Sequence, residues 1–156
     1  MADYEGVQPH ADDPVVITLR IKKFDVHKVL IDQGSSADII CGKTFDQMGF
    51  KNIDLKPYHG SLEGFTSEKV DVKGYVEAKT IFGTGPNIRR VMVRYLVLNC
   101  SATYNVLIGC QTINDIYAVV STPHLKMKYP TKNGKIGVLA VDQKISKECL
   151  AENEKK

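Results

Sequence analysis

Val29-Leu30-Ile31-Asp32-Gln33-Gly34-Ser35-Ser36-Ala37-Asp38 is the stretch on which the reading of this chain turns. Three apolar residues end on a carboxylate, a glycine two positions on permits a tight turn, and two hydroxyls follow. A carboxylate at the end of a buried strand is costly unless hydrogen bonds and a partner compensate it. Gly34 lets the backbone fold close, and the Ser35 hydroxyl can donate to the carboxylate. The arrangement suits an acid placed for proton chemistry. An aspartate that caps the short segment after it, by Asx-turn bonding, fits the local residues equally well.

Outward from this stretch the chain is a series of short alternating runs. Val15 to Ile21 alternates after its first residues, Lys22-Lys23 breaks it, and Phe24 to Ile31 resumes, which predicts a hairpin. Thr44 to Gly49 suits one or two turns of helix closed by glycine. Val70 to Ile81, resuming after Gly74, and Arg89 to Leu98 read as strands on either side of the turn Gly83-Thr84-Gly85-Pro86-Asn87. That turn lacks the Gly-Lys-Ser/Thr of a phosphate loop. In the second strand Val91, Val93, Tyr95 and Val97 share a face that reads as ordinary core. Arg94 interrupts the opposite face of Met92, Leu96 and Leu98. Val106-Leu107-Ile108 is a short apolar strand, and Cys110 to Tyr117 suits a helix with Ile113 and Ile116 inward. Ala118 to Val120, Leu125 to Tyr129 and Gly137 to Val141 continue the strand pattern. Many short strands, frequent Gly/Pro turns and one or two short helices predict an all-β domain, closed or sandwiched.

Composition narrows the class. At 156 residues with 43% hydrophobic and 25% charged side chains, the chain suits one water-soluble domain. Residues 1–13 read as a disordered lead-in, 14–142 as the folded domain, and 143–156 as a charged tail. No apolar run is long enough to span a bilayer, and the N-terminus lacks a signal-peptide pattern, so a reducing cytoplasmic setting is expected. A net charge of +3 is too small to imply nucleic-acid binding. The lysines of Lys126-Met127-Lys128 and Lys132-Asn133-Gly134-Lys135 read as the wet face of a strand and its turn. Cys41, Cys100, Cys110 and Cys149, and His10, His27, His59 and His124, are too scattered for a zinc site, so no metal is expected. Neither Ser35 nor Ser36 sits in a G-x-S-x-G nucleophile turn, and Asp38 reads as a turn cap or a solvent-facing acid.

Taken in order, four segments resemble a retropepsin, the aspartic protease of retroviruses and LTR retrotransposons. The chain is most similar to the protease segment of plant Ty3/gypsy-type polyproteins. Val29 to Ile39 matches the active-site loop and its lead strand, and Leu62-Glu63-Gly64-Phe65-Thr66 with the hairpin after it matches the flap region. Tyr104 to Gly109 matches the apolar-apolar-Gly strand beneath the catalytic loop. Val119 to Thr131 is similar to the closing strands of the plant elements. The likeness spans about Pro14 to Asp142.

The resemblance implies a retropepsin-like closed barrel or sandwich lobe in which Asp32 is the catalytic carboxylate. One Asp-x-Gly-Ser turn is half a site, so it also implies a symmetric homodimer acting on a polypeptide such as a retrotransposon polyprotein. Gly34 would offer its N–H to the carboxylate, and Ser35 would bond its outer oxygen. Ile108 and Gly109 would support the loop from below, and Leu62, Gly64, Phe65 and Thr66 would form a substrate-binding flap. No metal, organic cofactor, membrane or nucleic acid is implied, and the setting would be the cytoplasm or retrotransposon particles. Retropepsins usually carry Thr or Ser where this chain has Gln33. Either the glutamine makes an equivalent bond across the dimer, or the brace fails and the domain is a catalytically silent dimerisation or peptide-binding module.

Overall fold

Residues 14–59, 72–100, 103–121 and 126–140 are described by the computed structural model. The expected lead-in, the tail and the flap residues Leu62, Gly64, Phe65 and Thr66 fall outside these ranges.

Alternation draws the first hairpin. In β1 (Val16–Ile21) the residues Leu19 and Ile21 turn inward between exposed Thr18 and Arg20, and Lys22-Lys23 reverse the chain into antiparallel β2 (Phe24–Ile31). The active-site stretch then leads into β3 (Asp38–Cys41) and helix α1 (Gly42–Gln47), which begins two residues before the expected Thr44. Gly49, at φ +76°, ends this turn of chain where the glycine signal places it. A single 3-10 turn, Asn52–Asp54, follows. The long hairpin of β4 (Val72–Phe82) and β5 (Arg89–Leu98) closes through the Gly83–Asn87 turn. Then come β6 (Val106–Ile108), α2 (Cys110–Asp115), β7 (Val119–Ser121), β8 (Lys126–Pro130) and β9 (Ile136–Ala140). Helix α2 stops short of the expected Tyr117, whose φ of +55° turns the chain, but Ile113 and Ile116 point inward as their spacing requires.

The first six strands form a closed barrel in the order β1-β2-β6-β3-β5-β4, and β7-β8-β9 make a separate three-stranded sheet. The all-β expectation with short helices holds. β6 is the keystone: it runs parallel to β2 on one side and antiparallel to β3 on the other. Strands β3 and β6 are buried along their whole length, and apart from Asp38 at the start of β3 they carry only apolar side chains. Val93, Tyr95 and Val97 of β5 enter the main core with Ile21, Phe82 and Tyr129, as ordinary core should. The opposite face of β5 gives Leu96 and Leu98 to a smaller cluster with Ile39 and Leu107. Arg94 is exposed and ion-pairs with Glu77 at 3.3 Å, which accounts for the interruption of that face. In β8 Met127 is buried and Lys128 exposed, as the lysine alternation predicts.

Candidate active site

Strand β2 carries Asp32 to the edge of the barrel. Ile31 lies opposite Ile108 in the parallel β2–β6 pair, and the Asp32 N–H donates to the Ile108 carbonyl at 2.9 Å. The chain then reverses, with the Ser35 N–H donating to the Asp32 carbonyl at 3.2 Å. Within that turn the Gly34 N–H donates to Asp32 Oδ1 at 3.0 Å. Asp32 is half-buried and Gln33 and Gly34 are exposed, so the acid stands on a buried support while part of it faces out.

The loop is held from beneath by the start of α2. The Cys110 N–H donates to the Ser35 carbonyl at 2.7 Å. Gly109 runs so close under the loop that a Cβ there would sit 2.5 Å from the Ala37 carbonyl oxygen and 2.7 Å from that of Ser35. Those are backbone atoms that cannot step aside, so the position demands glycine. Ile108 is fully buried beneath.

Two expectations change. The Ser35 hydroxyl does not bond the outer oxygen of Asp32: it donates to the Ala37 carbonyl at 3.0 Å and receives the Ala37 N–H at 3.4 Å. Ser35 is buried, and its side chain spends its bonds bracing the turn. Asp38 does not face solvent. It is buried, Oδ1 accepts the Gly109 N–H at 2.8 Å, and Oδ2 accepts the Thr112 hydroxyl at 2.6 Å. Burial raises the Asp38 carboxyl above the ordinary 3.8. The Thr112 and Gly109 bonds pull the other way, and the nearby charge of Asp115 adds to the rise. Asp38 is a structural anchor that ties the loop to α2.

Two residues of this assembly escape sequence reasoning. Thr112 carries no local signal, since only the fold sets it against Asp38. Asn105 joins several elements at once. Its Nδ2 donates to the His27 carbonyl at 2.8 Å, its Oδ1 accepts from Thr44 at 3.1 Å, and its N–H donates to the Lys28 carbonyl at 3.0 Å. An asparagine just before an apolar strand was the one available hint. Gln33 lines an open cavity of about 390 Å³ with Asn114, Val119 and Val120. On the other flank Ser36 and Ala37 border a cavity of about 480 Å³ shared with Tyr58, Met92 and Arg94.

Comparison with solved structures bears on the fold that carries this geometry. The retroviral protease-like domain of Ddi1 from Leishmania major superposes with a TM-score of 0.53 at 12% identity, over 80% of this chain and 91% of that one. A retropepsin-like aspartic protease from Rickettsia conorii gives 0.52 at 12% identity, over 80% of each chain. The chain has the retropepsin fold. EIAV protease, solved with the inhibitor HBY-793, gives 0.51 at 14% identity over 70% of this chain and 94% of that one. At such identities the likeness is one of fold alone. No protein-family model matches the chain, and no curated protein sequence matches it either.

Proposed function

We propose that this chain is one half of an aspartic endopeptidase, completed when two copies bring their Asp32 side chains together. The observation that carries the reading is the acid itself. Asp32 is held at the rim of a retropepsin barrel by the Ile108 carbonyl and the Gly34 N–H, with Gly109 fitted beneath its loop. Two carboxyls a few ångströms apart share one proton and titrate as a couple. In the paired state one carboxylate takes a proton from a water, which attacks the peptide carbonyl, while the protonated partner donates to the carbonyl oxygen. No metal or organic cofactor enters this scheme.

The surface beside Asp32 supports self-association. Among the described residues β7 is an edge strand of its sheet, Val119 on it is 69% exposed, and Gln33, Val119 and Val120 share one open cavity. An edge strand with an exposed apolar side chain suits the addition of a second strand. By the sequence resemblance, the substrate is a polyprotein of a plant Ty3/gypsy-type retrotransposon, cut in the cytoplasm or within element particles.

Gln33 favours a second reading. It is exposed and stands where retropepsins usually hold a hydroxyl, so a catalytically silent dimerisation or peptide-binding module is the alternative. The deciding experiment is cleavage of an unstructured peptide library at mildly acidic pH, with solution mass measured on the same preparation. Pepstatin-sensitive cleavage by a dimer, lost in Asp32→Asn, supports the protease. Cleavage that persists in Asp32→Asn overturns it, and an inert dimer that still binds peptide supports the silent module.

A further inference from the structure

Cys41 closes β3, and Cys100 lies two residues beyond the end of β5. The two strands run parallel with Cys41 opposite Leu98, so both side chains face the same way. Two residues further on, Cys100 returns to that face. Cys100 packs against the small cluster of Ile39, Leu98 and Leu107, and Cys41, buried at the end of β3, stands on the side of the sheet that Ile39 and Leu98 share. The two thiols are near enough that each shifts the titration of the other. Cys41 Sγ also lies 3.3 Å from the Tyr104 carbonyl oxygen and Cys100 Sγ 3.7 Å from that of Leu98, and both are free thiols.

The pair is asymmetric. Cys41 is 8% exposed and Cys100 is half-buried. The neighbouring Cys41 thiol holds the Cys100 thiol below its ordinary value. The Cys100 thiol in turn raises Cys41, and burial raises it further. The reachable sulfur is thus also the better nucleophile, and a second thiol waits behind it.

We propose that Cys41 and Cys100 are a redox pair, in which a peroxide oxidises Cys100 and Cys41 resolves it into an intramolecular disulfide. The Cys100 thiolate attacks one peroxide oxygen. The O–O bond breaks, Cys100 becomes a sulfenic acid, and the departing hydroxide takes a proton to leave as water. The Cys41 sulfur then attacks the Cys100 sulfur. The S–S bond forms, the S–O bond breaks, and the Cys41 proton leaves with that hydroxide as a second water. Two thiols and one peroxide give one disulfide and two waters, with two electrons passing from sulfur to the peroxide.

The bond would pin the end of β3 to the exit of β5. That exit leads through Asn105, whose carbonyl accepts the Cys41 N–H at 3.1 Å, into the strand beneath Asp32. Oxidation therefore stiffens the face of the barrel that carries the active-site loop. The inference does not rest on the chain being a protease, because its readout is the sulfur chemistry itself.

The test treats the full chain with hydrogen peroxide, blocks remaining thiols with N-ethylmaleimide and maps peptides without reductant. The expected result is a linked pair of peptides containing Cys41 and Cys100, with Cys110 and Cys149 alkylated. Dithiothreitol should reverse the link, and oxidation should raise the thermal midpoint. In Cys41→Ser, Cys100 should stop at the sulfenic acid and take a dimedone label; in Cys100→Ser, Cys41 should stay reduced. Alkylation of both thiols after peroxide, or a link from either to Cys110 or Cys149, overturns the proposal. The wild-type map decides the matter even where a variant at buried Cys41 fails to fold.

Discussion

The Thr112 hydroxyl donates to Asp38 Oδ2 at 2.6 Å, joining residues 74 positions apart in the chain. With the Gly109 N–H on the other oxygen, this carboxyl fastens the active-site loop to helix α2. Removing it should be felt in the fold. Asp38→Ala leaves a buried N–H and a buried hydroxyl without their acceptor, and should cost about 2–4 kcal/mol in urea unfolding. Asp38→Asn keeps an acceptor for Gly109 and a donor for the Thr112 oxygen, and should cost about 1 kcal/mol.

The same carboxyl predicts a pH dependence. Burial, the largest cause, raises its folded value above the ordinary 3.8, so the folded chain favours the protonated form more than the unfolded chain does. The stability it contributes is complete below the unfolded value and is lost as pH rises through the raised folded value. The stability difference between wild type and Asp38→Asn, followed by urea titration from about pH 3 to about pH 7, should therefore drift against wild type as pH rises. A difference that is flat with pH would show that Asp38 ionises as freely folded as unfolded.

Gly109→Ala should be severe although its backbone angle of −95° suits any residue. The new Cβ would press on the Ala37 and Ser35 carbonyl oxygens, and relief requires moving the Asp32 loop off β6. A loss of about 3–5 kcal/mol is expected by thermal or urea unfolding. Near-wild-type stability would mean that the loop is less firmly seated than its hydrogen bonds indicate.

Gln33→Thr tests the departure from the retropepsin pattern. A short hydroxyl costs less side-chain entropy to fix than a glutamine amide, so a dimer braced through this position should hold its acids better. The expected outcome is a gain of about tenfold in kcat/KM, equivalent to about 1.4 kcal/mol, on a peptide that the wild type cleaves. An unchanged or lower value would show that Gln33 already makes the brace.

Val119→Lys places a charge on the exposed edge strand β7 without touching the core, since Val119 is 69% exposed. Sedimentation should show the proposed dimer weakened by at least about tenfold, with the thermal midpoint of the monomer unchanged. A variant that dimerises as well as wild type would move the interface elsewhere.

The barrel was readable wherever alternation was clean. β1, β2 and β5 follow from the period-two burial of Leu19, Ile21, Val93 and Tyr95, and the exposed Arg94 marks the wet interruption. Helix limits were less legible: α1 starts at Gly42, whose place is set by the end of β3 rather than by any capping side chain. Within the site, the Asp32–Gly34 bond follows from the turn chemistry of the motif. The partners of Ser35 and Asp38 do not follow, because each is chosen by a neighbour that only the fold supplies. Ser35 found a carbonyl two residues away, and Asp38 found a helix that begins at Cys110.

The seat of Asp32 is made of residues synthesised long after it, since β6 pairs Ile108 with Ile31 and begins only at Val106. On the ribosome, then, the acid emerges well before its support, and the barrel cannot close around it until the later strand has left the exit tunnel. On the proposed reading, a nascent chain has no seated acid to offer a second copy, and pairing waits for the finished barrel.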